Sequence, residues 1–566
     1  MAGEKFSIFE TWSLFTSTEK RNIAIYIAGI MLYKFGLEAF NGSITALATN
    51  RYDWDAEVSG TTPKTFERVG LLQGLNQAFQ CVGAILIAPL IKRFPTKIVL
   101  SAAVLVFGLF TAILLIVDAA TGGRIKPDGA DKDDYSYYGS YNTDGMIPIY
   151  CVTGIAYGMV ELIRRVIPRD IVGGNVQKLR RMDAMVHIFY EISGTSGAFC
   201  TALGLIPALG NNMSFIITPI LFTCAAAVWY FVSDFNFAAR KDLSSIDQGS
   251  YFKQVFVGFI LFFKSVFVGG KLILSTRRFM WLLPAYSIAL YAHRYLENGI
   301  APIIAKRYLG NSAWSQIMVG GSNFGELCGA AFVFFFTNLV RTPIPWLRLD
   351  ALLLMIVWYL PYWYPPQDQV RYAWIVAATF LPISFGWAAG DVSLAAYIQA
   401  ALARKEDEAE DVSSLGAVMS FLYSTYIVIY AICNPLLGRY ADAVYARNED
   451  TGGRVNGAIR NLAGVQFTII AVVVIGSSFV PRGAFAFNPK DLYGESLDRD
   501  LNLNSPVEDS VAGDFEKEKK GLKLEEVHGS DEDNPIQAGV VGGATGVAGT
   551  LRTPRPSQDH LPVSKA

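Results

Sequence analysis

"NIAIYIAGIMLYKFGLEAFNGSITALA", residues 22–48, is the stretch that determines the fold class of this chain. The stretch is long enough to cross a bilayer as a single helix. It nevertheless carries Lys34 and Glu38 near its centre, where each charge costs about 2.5–3.5 kcal/mol on insertion scales. The segment therefore predicts a membrane helix whose two charged residues either pair with each other or have a functional role.

The composition of the whole chain agrees with this prediction. The 566 residues are 52% hydrophobic and 17% charged, and the mean hydropathy is +0.32. Apolar blocks about twenty residues long recur along the chain, as expected of an all-α membrane protein that crosses the bilayer many times. The net charge of −1 gives no basic field for a nucleic-acid partner. The six cysteines lie inside apolar runs, so they are expected to pack as small residues.

Twelve transmembrane helices are predicted, in two halves of six. Their spans lie near 22–48, 69–91, 97–117, 146–163, 184–208, 213–234, 279–304, 314–340, 349–364, 372–400, 412–437 and 461–480. The expected domains are a cytosolic N-terminus (1–21), a first bundle (22–234), a cytosolic linker with an interfacial helix (235–278), a second bundle (279–480) and a largely disordered tail (481–566). The tail is too polar to fold alone.

Basic residues set the predicted orientation. The loop after helix 4 carries Arg164, Arg165, Arg169, Lys178, Arg180 and Arg181, and seven more basic residues follow helix 6. The loop after helix 3 is acidic and rich in tyrosine. By the positive-inside rule the basic loops face the cytosol, and both termini are expected there as well.

The run "VFVGFILFFKSVFVGGKLIL", residues 255–274, has two interpretations. It is apolar enough to be a thirteenth span. However, Lys253, Lys264 and Lys271 fall within roughly 20° of one another around a helix, and such a stripe is typical of an interfacial helix. An extra span would also invert the second half relative to the first. We therefore predict a helix on the cytosolic surface.

Short internal repeats favour two halves in the same orientation. "YKFGLEAFNG" in helix 1 matches "YAHRYLENG" in helix 7, and "NQAFQCVGA" in helix 2 matches "SNFGELCGA" in helix 8. These alignments place Lys34 opposite His293, Glu38 opposite Glu297, and Gln80 opposite Glu326.

The chain resembles the major facilitator superfamily, in particular its fungal multi-pass members of poorly defined substrate. The resemblance covers residues 22–480 and is carried by "IPRDIVGGNVQKLRRMDAMVHIFYEISGTSGAF", residues 167–199, and by the helix 7–8 region. Lys92 and Pro95 stand where the family's helix 2–3 signature has Asp and Gly, while Arg93 and Lys97 match it. The Gly-Pro of the antiporter signature in helix 5 is absent, which argues against a drug/proton antiporter.

The sequence lacks the motifs of an enzyme or a pump. It contains no phosphate-binding loop, metal-ligand cluster or nucleophile triad, and only His187 and His293 lie in predicted spans. We expect no cofactor, no bound metal and no catalysis, which leaves gradient-driven or passive transport.

The candidate pathway residues are polar groups inside the predicted spans, which usually mark a route for solutes or protons. Lys34 and Glu38 lie one turn apart, so they share a face and can neutralise each other. The same spacing predicts a His293–Glu297 pair in helix 7, with Arg294 facing Asn298. A static ion pair or a satisfied structural network is the alternative interpretation of each pair.

Helices 2 and 8 add further polar candidates. Gln73, Asn76, Gln77 and Gln80 form a stripe on helix 2, and Asn323 and Glu326 hold the equivalent places on helix 8. Interhelical hydrogen bonding is the alternative use of such side chains. Weaker candidates are His187, Glu191 and Asp391.

Two loops of opposite charge suggest a cytosolic gate. Arg180 and Arg181 precede helix 5, and the loop after helix 10 carries Glu406, Asp407, Glu408, Glu410 and Asp411. Opposite charges at pseudo-equivalent places can close a gate by salt bridges, although a solvated surface explains them equally.

The combined prediction is a monomeric alternating-access transporter of a small organic solute, coupled to protons. Lys34 is expected to hold an anionic or polar group of the substrate, and Glu297 to carry the proton, with Glu326 as the next candidate. Metabolite export is a use that the resemblance implies. The plasma membrane is the expected location and a vacuolar or other organelle membrane the alternative. The rival function is a transporter-like receptor or scaffold that signals through its tail.

Overall fold

A computed structural model describes residue 12 and residues 14–130, 134–172, 176–233, 250–335, 340, 342–402, 414–448, 454–481 and 483–485. All regular secondary structure within these ranges is helical. We number the longer helical stretches α1–α13, and we call α1–α6 the first half and α8–α13 the second half.

The helices of the first half are joined by short connections, except for residues 121–145 between α3 and α4. They are α1 (Ser17–Ser59), α2 (Thr65–Arg93), α3 (Thr96–Ala120), α4 (Met146–Val172), α5 (Val176–Cys200) and α6 (Ile217–Tyr230). The π-helical turn Thr201–Leu205 and the short helix Ile206–Leu209 extend α5. The helix α7 (Tyr251–Ser275) follows before the second half.

The helices of the second half are more irregular. The first, α8, consists of Arg277–Met280, Ala289–Tyr295 and Ala301–Ile303 joined by the π-helical segments Leu283–Ile288, Leu296–Ile300 and Ile304–Tyr308. The next four are α9 (Ser315–Phe335), α10 (Ile344–Leu353, continued as a 3-10 helix over Leu354–Tyr362), α11 (Val370–Leu402) and α12 (Ser414–Arg447). The last, α13, comprises Asn456–Ile459, the π-helical segment Arg460–Val465 and Gln466–Ser477.

The limits of α1 are fixed by local signals at both ends. Thr16 and Glu19 form a reciprocal capping box, in which each side chain accepts a hydrogen bond from the backbone N–H of the other residue. Gly60 ends the helix in the left-handed region, at φ 61°. The helix therefore extends well beyond the apolar span 22–48, and its last turns carry charged residues.

Buried apolar side chains separate into clusters that follow the two halves. One cluster is formed only by residues between Phe15 and Val232, and a larger one is formed almost entirely by residues between Ile273 and Ala484. This separation is what two helix bundles with independent cores would give. The domain limits themselves remain a prediction.

The segment between α3 and α4 packs over the end of the molecule where α1 ends. The buried Arg51 guanidinium donates hydrogen bonds to the carbonyl oxygens of Gly139 (2.9 Å) and Tyr141 (2.8 Å), and it stacks on the Tyr141 ring at 3.8 Å. We call this end, which comprises residues 121–130 and 134–145 with the C-terminal turns of α1 and α8, the loop face.

Backbones of the two halves meet where α2 packs against α12 near the loop face. Gly70 and Gly74 face the backbone of α12, and Gly438 faces the carbonyl oxygen of Phe66 so closely that a Cβ there would lie 2.1 Å from it. The carboxylate of Asp442 accepts hydrogen bonds from the N–H groups of Phe66 (3.2 Å) and Glu67 (2.9 Å). The first turn of α2 is thus capped by a side chain of the opposite half.

The prediction of a long basic loop between helices 4 and 5 is wrong. α4 continues to Val172 and α5 begins at Val176, so most of that segment is helical and only 173–175 lie outside the described residues. Arg164 lies inside α4 and is half-buried, and the buried carboxylate of Glu161 accepts a hydrogen bond from its Nη2 at 2.6 Å. Its guanidinium also lies 4.4 Å from the centre of the Tyr190 ring. A paired arginine can extend a buried helix past its apolar stretch.

Ten of the described helices are long and apolar enough to cross a membrane. Nine of them coincide with predicted spans, and the tenth is α7. The predicted spans near 213–234, 279–304 and 314–340 correspond to α6, α8 and α9, which are not in this set. α6 is short and α8 is interrupted by its π-helical segments. The total of twelve spans therefore remains a prediction.

The contacts of α7 place both of its ends away from the loop face. The Tyr251 hydroxyl donates to the carbonyl oxygen of Leu86 (3.0 Å), near the end of α2. Gly269 packs against the backbone of Ala417, near the start of α12. These two positions are at the same end of the molecule, whereas a spanning helix would have one end at each face. This geometry agrees with the prediction of a helix that lies across the bundle.

The outer side of α7 is apolar. Phe252, Phe256, Phe263 and Phe267 are the most exposed aromatic side chains on this helix, each more than two-thirds exposed. Lys253, Lys264 and Lys271 are exposed as well. This combination suits a helix at a membrane surface, while its placement on the cytosolic side remains a prediction.

Candidate functional site

A polar cavity lies between the two halves. It encloses about 1140 Å³ of empty space, the open solvent at its mouth included, and is lined by residues from α1–α5, α8, α9 and α12. The predicted residues that line it are Lys34, Glu38, Gln73, Asn76, Gln77, Gln80, Glu191, Arg294, Glu297, Asn298, Asn323 and Glu326. Predicted site residues from five different helices therefore meet at the same cavity.

Lys34 and Glu38 form an ion pair on the cavity wall. The Lys34 ammonium donates a hydrogen bond to the Glu38 carboxylate one turn later, and the side chain of each residue is 10% exposed. Lys34 Nζ also lies 4.5 Å from the centre of the Tyr190 ring. Both interactions stabilise the ammonium, which explains how the membrane helix tolerates the two charges.

Glycines on α5 make room for this pair. A Cβ on Gly194 would lie 2.5 Å from Lys34 Cε and 3.4 Å from Asn323 Nδ2, and one on Gly197 would lie 3.1 Å from Glu38 Cβ. Small residues let membrane helices approach closely. Here they bring the charged face of α1 against both α5 and α9.

The predicted His293–Glu297 pair is wrong. His293 points away from the cavity, where its Nε2 is 2.8 Å from Asp350 Oδ1 and its ring stacks on Trp387 at 5.0 Å between centroids. The π-helical segment that begins at Leu296 changes the helical spacing. Asp350 supplies a partner from α10 that the sequence of helix 7 could not indicate.

Arg294 replaces His293 as the partner of Glu297. Its Nη1 donates to Glu297 Oε2 at 2.8 Å, and Ser322 Oγ donates to Glu297 Oε1 at 2.6 Å. The prediction that Arg294 faces Asn298 is replaced by this pair, although Asn298 does line the cavity. Each half therefore contributes one ion pair, Lys34–Glu38 from α1 and Arg294–Glu297 from α8.

The polar stripe on α2 is partly used for packing. Gln73 donates to Thr45 Oγ1 (3.4 Å) and accepts from Asn434 Nδ2 (3.2 Å) of the opposite half. Asn76 donates to the carbonyl oxygen of Tyr150 (2.8 Å), and Gln80 donates to Asn76 Oδ1 (3.1 Å). In contrast, the Oε1 atoms of Gln77 and Gln80 are buried and accept no hydrogen bond from any described residue.

Glu191 on α5 and Glu326 on α9 differ from the other cavity carboxylates. Glu191 is 3% exposed, and its Oε2 has no hydrogen-bond partner among the described residues. Its Oε1 lies 4.0 Å from His187 Nδ1. Glu326 is half-buried and makes no hydrogen bond or ion pair within the described part of the chain. The α5–α9 contact thus carries two carboxylates, one from each half, that have no lysine or arginine partner among the described residues.

The remaining weak candidates lie outside the cavity. His187 is next to Glu191 but is not part of the lining, and Asp391 is buried on α11. Among the described residues, no group of three or more His, Cys, Asp or Glu side chains could hold a metal ion.

An ion pair that the sequence did not predict closes the loop face. Arg307, near the end of α8, donates from Nη1 and Nη2 to Asp53 of α1 at 2.8 and 2.7 Å. The hydroxyl of Thr65 donates to the same carboxylate. Beside them Lys306 Nζ donates to Asn50 (3.3 Å) and to the Tyr135 hydroxyl (3.2 Å). We call the Asp53–Arg307 pair the loop-face latch.

The predicted cytosolic gate lies largely outside the described residues. Glu406, Asp407, Glu408, Glu410 and Asp411 fall in the undescribed range 403–413, and the side chain of Arg180 is not described. Arg181 lies on α5, near its start. The gate therefore remains a prediction.

Several cavity residues were not predicted from sequence. Tyr150, Tyr157, Tyr190, Gln316 and Tyr430 all line it. A tyrosine within an apolar span has no distinguishing pattern, because aromatic residues are common in membrane helices. Gln316 lies on α9, seven residues before Asn323, and this spacing on one face of the same helix was the available signal.

Comparisons with solved structures identify the fold. The chain is similar to a variant of the nucleoside transporter NupG, with a TM-score of 0.52, 11% identity, and coverage of 80% of this chain and 99% of that one. It is also similar to a variant of the peptide transporter POT in complex with sulfate, with a TM-score of 0.51, 12% identity, and coverage of 80% and 93%. A third similar structure is the inward-open xylose transporter XylE from E. coli, with a TM-score of 0.51, 10% identity, and coverage of 80% and 94%.

Sequence comparisons give no closer assignment, since no protein-family model and no curated protein matches the chain. The three structural neighbours are transporters of nucleosides, peptides and xylose. At these identities the likeness establishes the fold alone. The chain is a multi-pass integral membrane protein with the fold of these transporters.

Proposed function

We propose that this protein is a secondary-active transporter that moves a small organic solute by alternating access between its two halves. The observation that carries the proposal is the polar cavity between the halves, to which each half contributes one buried ion pair. Buried charges are costly in a membrane protein, and those that are retained usually mark a solute or proton pathway. The transporter fold of the structural neighbours supports the same function.

The loop-face latch supports an alternating-access mechanism. Asp53 and Arg307 belong to opposite halves, and α2 packs on α12 beside them. In this conformation the halves are therefore joined at the loop face. Access from that side requires the latch to break, as a rigid-body movement of one half against the other would do.

We also propose that transport is coupled to protons, with Glu326 and Glu191 as the carriers. Glu297 was expected to carry the proton because of a histidine neighbour, but Arg294 and Ser322 hold both of its oxygens. Glu191 and Glu326 have no such partner and can exchange protons more readily.

The orientation and location are part of the same proposal. Both termini are proposed to face the cytosol, with the loop face on the opposite side of a plasma membrane or organelle membrane. The basic residues around α7 support this orientation through the positive-inside rule. Metabolite export is the use suggested by the resemblance to fungal transporters.

A metabolite comparison followed by flux measurement tests the function. Cells that lack the gene and cells that overproduce the protein are compared for small molecules whose distribution changes. The selected compound is then measured in proteoliposomes with and without a pH gradient. Saturable flux, driven by the gradient, is the expected result. Absence of flux for every selected compound would favour the receptor or scaffold that signals through its tail.

A glutamate variant tests the coupling. Glu326→Gln should abolish accumulation against a gradient but still allow solute exchange at saturating solute, because exchange needs no change of protonation. Glu297→Gln should impair both modes, since it leaves the Arg294 charge unpaired. Full accumulation by Glu326→Gln and by Glu191→Gln would exclude both carboxylates as proton carriers.

A further inference from the structure

The cavity wall has more unused hydrogen-bond acceptors than donors. Among the described residues that line the cavity, four buried acceptor atoms have no hydrogen-bond partner. Only one buried donor atom of the lining has none. The acceptors are Gln77 Oε1, Gln80 Oε1, Glu191 Oε2 and Gln316 Oε1, and the donor is Asn323 Nδ2. Buried polar groups are normally hydrogen-bonded, so a wall of this kind fits a ligand that is rich in donors.

The preference for a donor-rich ligand does not depend on how the glutamine amides are oriented, because two carboxylates also lie on the wall. Rotation of a glutamine amide exchanges its oxygen and nitrogen, whereas an ionised carboxylate only accepts hydrogen bonds. The side chain of Glu191 is almost completely buried, and Glu326 lies on the facing helix of the other half. Two carboxyl groups that are acceptor-only when ionised therefore meet at the contact between the halves.

The charges of the lining residues lead to the same conclusion. The lining contains four carboxylates, Glu38, Glu191, Glu297 and Glu326, but only two cations, Lys34 and Arg294. Both cations are already held, Lys34 by Glu38 and Arg294 by Glu297. An anionic ligand would have to displace one of these carboxylates. A cationic ligand would supply what Glu191 and Glu326 lack.

Aromatic rings on the same wall also suit a cation. Tyr150, Tyr157 and Tyr190 line the cavity. A ligand cation over the face of such a ring is stabilised by roughly 0.5–2 kcal/mol, depending on how completely it is desolvated. The Tyr190 ring already contacts the Lys34 ammonium at 4.5 Å.

We propose that the solute is a small amine or guanidinium compound, and that its cationic group binds between Glu191 and Glu326. This proposal rests on the proposed transport function and names its substrate class. An ammonium offers three donors and no acceptor, which matches the unused groups of the wall. Because the two carboxylates come from opposite halves, a bound cation would hold the halves together around it.

Protons and the cationic group compete for the same two carboxylates. The charged groups that act on Glu326 are Glu191, Glu297, Arg294 and Lys34, and Glu38 and His187 also lie near Glu191. His187 Nδ1 lies 4.0 Å from Glu191 Oε1, whereas neither Lys34 nor Arg294 forms an ion pair with Glu191 or Glu326 in the described part of the chain. Apparent affinity for an amine should therefore increase as the pH rises from acidic to neutral.

Thermal unfolding of the purified full-length chain tests the proposal. The ten tryptophans report unfolding by their fluorescence. Putrescine, agmatine, glucosamine and tetramethylammonium are compared with butane-1,4-diol and succinate, which match putrescine in carbon number but are neutral and anionic. At least one of the four cations should raise the Tm at concentrations where the diol and succinate do not.

Matched variants locate the site. Glu191→Gln and Glu326→Gln should each weaken amine binding by about tenfold or more, as expected for the loss of a charge-assisted hydrogen bond. Glu57→Gln, an exposed carboxylate at the end of α1, should leave it unchanged. Stronger stabilisation by succinate or the diol, no stabilisation by any of the four cations, or full amine binding by both Gln variants would overturn the proposal.

Flux measurements separate this inference from the transport function itself. If an amine binds as described but no solute crosses the membrane of proteoliposomes, the amine site stands and the transport function fails. If the solute found by metabolite comparison is transported but is neutral or anionic, the transport function stands and the amine site is wrong.

Discussion

The guanidinium of Arg307 forms a two-pronged ion pair with the carboxylate of Asp53, at 2.7 and 2.8 Å, and so joins α8 of the second half to α1 of the first. Both side chains are largely buried. Such planar pairs hold a fixed geometry as well as a charge. The pair lies at the loop face, away from the cavity charges, so the contact that closes the molecule is separate from the groups that would bind the solute.

Breaking this latch should open the loop face. Asp53→Asn leaves a buried arginine without its partner, and loss of a buried pair costs about 3–5 kcal/mol. We expect a cysteine in place of the cavity residue Val319 to react about tenfold or more faster with a membrane-impermeant thiol reagent applied from the loop face. Asp55→Asn, two residues further along α1, is the matched control. The exchange Asp53→Arg with Arg307→Asp should restore slow labelling, and equal rates in all variants would contradict the latch.

The Lys34–Glu38 pair should behave as a unit. Lys34→Ala or Glu38→Ala alone leaves one buried charge in a membrane helix, at a cost of several kcal/mol. We expect each single variant to reach the membrane in smaller amounts than the double variant, which leaves no unpaired charge. Surface quantity measured by biotinylation gives the comparison. If the double variant is less abundant than both single variants, mutual neutralisation of the two charges does not explain why the pair is needed.

Neutralising the unpaired carboxylates should stabilise the empty protein. Glu191→Gln and Glu326→Gln each remove the charge that the ionised carboxylate would carry without a lysine or arginine partner. At alkaline pH we therefore expect unfolding of these two variants to require about 1–3 kcal/mol more free energy. Glu297→Gln should have the opposite effect, because Arg294 loses its partner. The Tm of each purified variant without ligand tests both signs. A lower Tm for Glu191→Gln and Glu326→Gln together would show that their charges are compensated.

Gly194 should be intolerant of a methyl group. Gly194→Ala would bring a Cβ within 2.5 Å of Lys34 Cε, so Lys34 would have to move away from Tyr190 or α5 away from α1. Transport should fall about tenfold or more, since misplacement of a binding group by about 1 Å has such effects. Gly204→Ala, on the continuation of α5, meets no atom within 4 Å and is the matched control. Equal flux per surface molecule in both variants would contradict this packing argument.

Two cysteine variants test the orientation. Lys253→Cys, on the exposed side of α7, should react with a membrane-impermeant thiol reagent only from the cytosolic side. Asp128→Cys, in the exposed segment between α3 and α4, should react only from the other side. Labelling of both residues from the same side would exclude the proposed placement of α7.

Local spacing explains what the sequence could predict. Lys34 and Glu38 meet because residues four apart share a helical face, and the Gln73–Gln80 stripe reaches the cavity for the same reason. These relationships depend only on the period of the helix. They hold even though the limits of α1 extend well beyond the apolar span.

Partners that are distant in sequence explain what could not be predicted. His293 binds Asp350, 57 residues away, and the π-helical turn after it has no sequence signature, so the expected pair with Glu297 did not form. The latch depends on two helices that both continue past their apolar stretches. Opposite charges near the ends of helices 1 and 7 were visible in the sequence, but their facing arrangement required the fold.

The glycines of the α2–α12 contact allow close packing of the two helices and also limit the apolar surface that is exposed when they separate. Gly70, Gly74 and Gly438 let the two backbones touch, so many short-range contacts form when the interface closes. Glycine has no side chain, however, so little apolar surface becomes exposed when the backbones part. The two helices can therefore pack closely in one conformation and separate in another without exposing a large apolar surface. If this interface closes and reopens in every transport cycle, its glycines would lower the free energy needed to open it and so speed the cycle.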